Sequence, residues 1–245
     1  MGNHSGTVRN TLYTNHRKQS TGWFALNYPY RIDKHVTLQH YCERPLISAF
    51  SDAITYPNGQ NAEVGLMLHG GYNCEDSIVA NQSSIDCGLF NASHYNYEKS
   101  EMEKNEKLAN PDLARTLDIK KDAIYENVQD GLILPGTLVQ KGSVLISKYV
   151  PIQNPTDIHI YTDRSVLYKQ EEPVRVERSI VVRNDADVLV AKVKTRANRP
   201  LEIGDKLSSR TGNKGICGAK HPRADMPYCE DGTIPDLLVN AHSVP

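Results

Sequence analysis

Residues 174–196 read VRVERSIVVRNDADVLVAKVKTR, in which two segments alternate apolar with charged or polar residues on either side of Asn184-Asp185. In a strand, neighbouring side chains point to opposite faces, so this alternation is typical of strands with one buried face. A short Asn- and Asp-containing turn between two such segments favours a tight reversal of the chain. The stretch therefore predicts a β-hairpin with strands over 174–183 and 188–196.

Shorter segments around this hairpin also have the pattern of strands. Turn residues at 58–61 precede the apolar run Val64–Leu68, and glycines or prolines punctuate the apolar runs at 131–136 and 142–146. Because strand signals dominate and nothing repeats at a fixed period, the sequence predicts a mixed, β-rich fold class whose middle part looks inserted.

Two segments are expected to depart from this pattern. Acidic residues before an apolar run suit a helix N-terminus, so the sequence from Glu75-Asp76 into Ile78-Val79-Ala80 predicts a brief helix. Residues 95–107 turn polar and charged, and they are expected to form a solvated loop or a hairpin tip.

The composition bounds the class of protein. A chain of 245 residues with 39% hydrophobic and 23% charged residues is typical of one or two folded domains. Lysine and arginine number 28 against 29 acidic residues, so any signal of nucleic-acid binding must be local. The five cysteines include no CxxC pair, so no zinc site is expected. No signal-peptide pattern is present, and a secreted protein is not expected.

The densest cluster of charged residues and glycines spans 204–215 and reads GDKLSSRTGNKG. Lys206, Arg210 and Lys214 place three cations within nine residues, on a backbone that glycines make adaptable. This arrangement suits either a phosphate site or a solvated basic turn. A P-loop is excluded, because Asn213 separates Gly212 from the lysine that follows.

Two further clusters contain candidate functional residues. Residues 70–77 read GGYNCEDS, in which Glu75 and Asp76 could bind Mg²⁺ or, as spacing alone favours, cap a following helix. Near the N-terminus, Arg9-Asn10 and the basic stretch around Lys18-Gln19 have the composition of an ordinary surface.

Taken together and in this order, these clusters resemble the second-largest, β-like subunit of multisubunit DNA-directed RNA polymerases. Residues 71–90 look like the family's GYNQEDS…NxSSIDRGLF signature, and residues 204–215 look like GDKxxSRHGQKG. Residues 225–236 are similar to DMPFTxDGxxPD, and the N-terminal cluster is similar to RNT…GKQAMG. The resemblance is weakest over 92–173. Thr211, Asn213 and Cys87 stand where the family usually has His, Gln and Arg.

The resemblance implies a division of the chain. Residues 1–91 and 200–245 would form two parts of the hybrid-binding region, a double-psi β-barrel, with the second part truncated. Residues 92–199 would form an inserted wall or flap domain. The chain would therefore be a fragment of a longer subunit.

The resemblance also implies roles for individual residues. Lys206 and Lys214 resemble lysines that approach RNA phosphates near the 3′ end, and Arg9 resembles an arginine that contacts the triphosphate of the incoming nucleotide. Glu75 and Asp76 resemble an acidic pair that supports a second, nucleotide-borne Mg²⁺. Further nucleic-acid contacts are expected from Lys18, Gln19 and Arg210.

At the level of function, the resemblance implies a nucleotidyltransferase subunit that holds the RNA 3′ end, the RNA–DNA hybrid and the incoming NTP. The expected partners are the largest subunit, which would hold the primary Mg²⁺, the smaller assembly subunits and the DNA template. The fragment alone is expected to be inactive. An alternative is an interaction module whose wall region docks an initiation factor or another subunit.

The departures from the family motifs suggest a source. They point to a large cytoplasmic DNA virus similar to African swine fever virus, which would place the protein in the viral factory of the host cytoplasm and in the virion. A cellular source would place it in the nucleus or the cytoplasm.

Overall fold

The computed structural model of the chain describes residues 22–152, 160–210 and 212–244, without the side chains of Ser51 and Asp52. Strands predominate in these ranges, and the helices are short, so the β-rich class is confirmed. No helix in the described ranges is long and apolar enough to span a membrane.

The described chain divides into two compact units. Unit 1 combines the residues up to Tyr28 with Thr37–Ser93 and the residues from Arg199 on. Unit 2 combines Pro29–Val36 with His94–Asn198. The strand β1, His35–Gln39, begins in unit 2 and continues into unit 1.

Unit 1 is built on a five-stranded sheet with the order β16-β17-β3-β18-β2. Its strands are β2 Val64–Leu66, β3 Ser77–Asn81, β16 Lys206–Ser208, β17 Lys214–His221 and β18 Leu237–Val239. Its helices are α1 Phe50–Ile54 and α2 Gln82–Asp86, with 3-10 turns at Arg223–Asp225 and Ala241–Ser243. The central β3 runs parallel to β17 and antiparallel to β18.

The prediction of a helix that begins at Glu75-Asp76 is wrong, because this segment leads into β3. Ile78 packs on one face of the sheet with Cys217 and Leu237, whereas Val79 packs on the other face with Leu238. A strand that is buried on both faces is continuously apolar, and its composition does not distinguish it from a short buried helix. The helix α2 begins only at Gln82, where the Asn81 side chain accepts a hydrogen bond from the backbone N–H of Ser83 at 3.1 Å.

Unit 2 holds most of three sheets of the described residues. Its strands are β4 Ala92–Glu101, β5 Lys107–Leu108, β6 Thr116–Leu117, β7 Val128–Gln129, β8 Leu132–Ile133, β9 Leu138–Val139, β10 Val144–Ile146, β11 Lys148–Pro151, β12 Tyr161–Asp163, β13 Val166–Leu167, β14 Val174–Arg183 and β15 Leu189–Arg199. The sheet orders are β1-β4-β15-β14-β9, β13-β10-β8-β7 and β5-β11-β12-β6.

The predicted hairpin at 174–196 is confirmed as β14 and β15. The two strands pair antiparallel from Arg175 opposite Arg196 to Arg183 opposite Leu189. One face of this hairpin enters the core of unit 2, where Val176 and Val193 pack with Leu145 and Ile146. At the turn, the Asn184 side chain accepts hydrogen bonds from the backbone N–H groups of Ala186 and Val188.

The prediction that residues 95–107 form a solvated loop or a hairpin tip is largely wrong. Strand β4 continues to Glu101, and its Tyr95 and Tyr97 are buried. The alternating aromatic residues give the strand a buried face, which the high charge of the segment as a whole conceals. Only residues 102–106 connect β4 to β5.

Candidate functional site

The two candidate lysines lie in the hairpin that β16 and β17 form. Lys206 pairs with Ile216, and Ser208 pairs with Lys214. Side chains two residues apart on a strand share a face, so Lys206 and Lys214 lie diagonally on one face, a relation that typically separates the two residues by about 7–8 Å. Leu207 lies on the opposite face and packs against the core with Cys217. The register therefore directs both lysines away from the core.

The loop between the two lysines is closed by its own hydrogen bonds. The backbone N–H of Ser209 donates to the Asn213 carbonyl at 2.9 Å, and the N–H of Gly212 donates to the Ser209 carbonyl at 3.1 Å. The N–H of Asn213 also donates to the Ser209 hydroxyl at 3.0 Å. Gly212 has a φ of 96°, a conformation that glycine adopts without steric strain. These bonds define a tight turn.

The Arg210 side chain makes intramolecular contacts. Its Nη1 donates to Asn61 Oδ1 at 2.7 Å, and its Nη2 donates to the carbonyl oxygens of Glu43 at 2.8 Å and Asn58 at 3.2 Å. Arg210 is therefore bound to the segment 43–61 of the same unit, although it lies between the two lysines in sequence.

The acidic pair Glu75-Asp76 lies in a turn that a buried amide holds together. Asn73 is fully buried; its Oδ1 accepts from the backbone N–H of His69 at 2.8 Å, and its Nδ2 donates to the Met67 carbonyl at 2.7 Å. Glu75 has a φ of 53°, and both carboxylates are exposed. The expectation that the pair caps a helix is wrong, because the turn continues into β3.

The turn that contains Glu75 and Asp76, here called the acidic turn, adjoins the β16–β17 hairpin that carries Lys206 and Lys214, here called the lysine hairpin. The backbone N–H of Ile216 donates to the Asp76 carbonyl at 2.9 Å, and Ile216 is the residue paired with Lys206. The approach is close: a Cβ added at Gly215 would lie 2.5 Å from Ile78 Cδ1 and 2.9 Å from the Asp76 carbonyl oxygen. The fold thus brings the acidic pair and the two lysines, which are far apart in sequence, to the same end of one sheet.

The sequence of the whole chain identifies the family. Residues 1–245 match the family model described as RNA polymerase Rpb2, domain 6. The chain belongs to this family.

Relatives of the Rpb2 type match the chain along nearly its whole length. It is 34% identical over 257 residues to DNA-directed RNA polymerase II subunit RPB2 of Encephalitozoon cuniculi, and 34% identical over 258 residues to that of Schizosaccharomyces pombe. It is also 34% identical over 259 residues to DNA-directed RNA polymerase III subunit RPC2 of Saccharomyces cerevisiae. These matches cover 99% of this chain and 21–22% of each relative, so the chain spans about a fifth of their length. The resemblance to the polymerase subunit family is confirmed.

Three of the candidate residues, Arg9, Lys18 and Gln19, lie outside the described residues. The four candidates Lys206, Lys214, Glu75 and Asp76 lie together in unit 1, as described above. In the described ranges, no group of three or more His, Cys, Asp or Glu side chains has an arrangement that could hold a metal ion. Two adjacent exposed carboxylates do fit Mg²⁺ when phosphate and water supply the remaining ligands.

Two residues that hold the sheet together have no role in the sequence-based predictions. Asn73 closes the turn of the acidic pair, whereas Asp236 lies beside Asn81 at the opposite end of β3. Asp236 Oδ1 accepts from the Ser84 hydroxyl at 2.6 Å, and its Oδ2 accepts from the backbone N–H of Glu63 at 2.9 Å, which joins the approach to β2 with α2. An amide following a Gly-Gly pair was an available signal for Asn73, since Asn side chains often close turns through the backbone. Asp236 offered no comparable signal, because its two donors are distant in sequence.

Proposed function

We propose that this chain is the part of a DNA-directed RNA polymerase that holds the RNA 3′ end, the RNA–DNA hybrid and the incoming NTP during DNA-templated RNA synthesis. The observation that carries the proposal is the placement of Lys206 and Lys214 on one face of the β16–β17 hairpin, beside the Glu75-Asp76 turn. Membership of the Rpb2 domain 6 family supports it.

The two lysines would act on phosphates of the RNA. Lysine presents a compact, strongly hydrated charge on a flexible stem, which suits contact with a phosphate backbone that moves by one nucleotide per cycle. Their diagonal arrangement on an open face lets one strand of nucleic acid meet both charges. From the resemblance, Arg9 would contact the NTP triphosphate, and Lys18 and Gln19 would contact the hybrid.

The acidic pair would have a supporting role. Glu75 and Asp76 would hold a nucleotide-borne Mg²⁺, which when bound neutralises phosphate charge and orients the triphosphate. The primary Mg²⁺ would be held by the largest subunit, so the chain by itself would be inactive.

The test replaces Lys206 and Lys214 by alanine, singly, in a reconstituted polymerase that contains this chain within its second-largest subunit. Removing a charge that holds the RNA near its 3′ end is expected to misalign the reacting groups and to slow nucleotide addition by about 10²-fold. Rapid-quench measurement of single-nucleotide addition gives the rate, and gel filtration checks assembly.

Lys99→Ala is the matched control. Lys99 is exposed on β4, where it lies 3.6 Å from Glu101 in a surface ion pair. Its substitution removes a charge outside the lysine hairpin, and exposed ion pairs contribute little to stability. The rate of nucleotide addition is therefore expected to stay unchanged. Parental rates in both the Lys206 and Lys214 variants would refute the proposed role of the hairpin.

Narrower proposals rest on the sequence resemblance. They are that unit 1 contributes to a double-psi β-barrel, that residues 92–199 form a wall or flap, and that the source is a large cytoplasmic DNA virus with transcription in the host cytoplasm. Assembly with the largest and smaller subunits, and docking of an initiation factor on the wall, belong to the same group.

A further inference from the structure

Arg210 lies between the two lysines in sequence, but its side chain contacts a different part of unit 1. We propose that Arg210 is a positioning residue, which fastens the chain just after β16 to the segment 43–61 and thereby sets the positions of Lys206 and Lys214. This inference rests on the proposed function of the two lysines, and it assigns Arg210 a role other than the direct nucleic-acid contact expected from sequence.

The hydrogen bonds of Arg210 engage all three guanidinium nitrogens. In addition to the Nη1 bond to Asn61 and the Nη2 bonds to Glu43 and Asn58, Nε donates to the Asn58 carbonyl at 3.4 Å. A guanidinium has five N–H donors in a rigid planar fork. A phosphate at this fork would have to displace protein acceptors that the guanidinium already binds.

The acceptors are themselves held in place. The backbone N–H of Asn61 donates to Glu43 Oε2 at 2.8 Å, and Asn61 Nδ2 donates to the Arg44 carbonyl at 2.8 Å. The N–H of Glu43 donates to the Gly59 carbonyl at 2.9 Å. These bonds cross-link residues 43–44 to 59–61, so that Arg210 attaches the loop to a segment with a defined geometry.

The lysine hairpin needs such an attachment because of its position in the sheet. Strand β16 has three residues and lies at the edge of the five-stranded sheet, with β17 as its neighbour. A short edge strand is paired along one side, so its pairing alone restrains it weakly. A fork bound to acceptors outside the hairpin restrains the loop from a second direction.

Charge and geometry separate the two roles of Arg210. Lysine keeps the positive charge of arginine but lacks the planar fork, so Arg210→Lys would preserve a simple phosphate contact and remove the attachment. Asn61→Ala removes one acceptor of the fork without changing any charge. The positioning role predicts that these two variants behave alike.

The experiment measures nucleotide addition and the salt dependence of scaffold binding in the reconstituted polymerase. Arg210→Ala, Arg210→Lys and Asn61→Ala are each expected to slow nucleotide addition on the order of 10- to 100-fold, because misplacing the lysines loses alignment of the reacting groups. The slope of log affinity for an RNA–DNA scaffold against log salt is expected to stay parental. Removing a phosphate contact would instead reduce that slope by about 0.7–0.9.

A double-mutant cycle tests whether Arg210 acts through the lysines. In a polymerase with Lys206→Ala and Lys214→Ala, adding Arg210→Lys is expected to slow nucleotide addition no further, since coupled residues are not additive. A merely structural role would slow the enzyme by the same factor in both backgrounds. Arg183→Lys is the matched control, since Arg183 forms an exposed ion pair with Asp187 at 2.8 Å at the tip of another hairpin.

The outcomes that overturn the inference are distinct. A parental rate in Arg210→Lys together with a reduced salt slope in Arg210→Ala would make Arg210 a phosphate ligand. Parental rates in Arg210→Lys and Asn61→Ala, or full additivity in the cycle, would also overturn the positioning role. Parental rates in Lys206→Ala and Lys214→Ala would instead refute the proposed function itself.

Discussion

At the scale of single residues, two glycines of β17 allow the acidic turn to approach the lysine hairpin. A Cβ at Gly215 would meet Ile78 and the Asp76 carbonyl oxygen, and a Cβ at Gly218 would overlap the Ser77 hydroxyl, which donates to the Tyr72 carbonyl at 2.8 Å. Neither glycine has a positive φ. Close approach of another part of the chain, rather than an unusual backbone conformation, therefore requires glycine at both positions.

A buried thiol beside these glycines leads to a prediction about reactivity. Cys217 is fully buried in the core of unit 1, and burial raises the pKa of its thiol above the ordinary value. Because the thiolate is the reactive form, a raised pKa and exclusion from solvent both slow alkylation. Brief treatment of the native chain with N-ethylmaleimide at pH 7.5, followed by peptide mass spectrometry, is expected to leave Cys217 unmodified.

The exposed cysteines supply the internal control. Cys74, Cys87 and Cys229 are exposed, and they are expected to be labelled in the same reaction. In denaturant, Cys217 is expected to react as fast as these three. Equal labelling of Cys217 in the native chain would contradict its position in the core.

At the scale of secondary-structure elements, a buried ion pair attaches β11 to the connection after β4. Lys148 Nζ lies 2.7 Å from Glu106 Oε2, and their side chains are 10% and 3% exposed. Lys148 also donates to the Glu101 carbonyl at 3.2 Å, so the same ammonium binds the end of β4. The connection 102–106, which is part of the charged segment predicted to be solvated, is thus held at both ends by a single buried lysine.

Breaking this pair is expected to destabilise unit 2. Lys148→Met leaves the Glu106 carboxylate buried without its counter-ion, which typically lowers the free energy of unfolding by about 3–5 kcal/mol. Urea unfolding of the chain, followed by circular dichroism, measures the change. The double variant Lys148→Met with Glu106→Leu is expected to recover most of the loss, because it removes both charges.

A surface pair serves as the control for the buried one. Lys141 and Glu171 form an exposed ion pair, and Lys141→Met is expected to change the free energy of unfolding by less than about 1 kcal/mol. A similar loss of stability in both single variants would contradict the special role of burial.

At the scale of the whole molecule, each unit has its own hydrophobic core. In unit 2, Leu145 and Ile146 of β10 are fully buried among side chains of β14 and β15. In unit 1, Leu238 of β18 is fully buried with Val79 of β3. Two separate cores predict that local loss of packing loosens one unit more than the other.

Hydrogen exchange can measure this independence. Leu145→Ala removes buried methyl groups and is expected to lower stability by about 2–5 kcal/mol, with faster amide exchange concentrated in β8, β10, β14 and β15. Leu238→Ala is the reciprocal variant, and it is expected to speed exchange in β3, β17 and β18. Equal acceleration in both units by either variant would show that they unfold together.

Local patterns in the sequence predicted the elements whose strand signal lies within the segment itself. The hairpin of β14 and β15, the strand β2 and the strands β8 and β10 follow from alternation or from apolar runs between turn residues. The same reasoning failed at β3 and β4. The segment of β3 forms a strand because distant strands pair with it and bury it. The segment of β4 forms a strand because its tyrosines give a charged segment a buried face.

For the site, the sequence determined the residue types and, through its motifs, the family. The lysine hairpin and the acidic pair were recognised as residues with the right chemistry, but about 130 residues separate them. Only the parallel pairing of β3 with β17 places them at one end of a sheet, and only the tertiary structure shows that the Arg210 fork donates to Asn61 and to the Glu43 carbonyl. The physical reason is that spacing reports contacts along one strand or turn, whereas hydrogen bonds between distant segments depend on how the whole core packs.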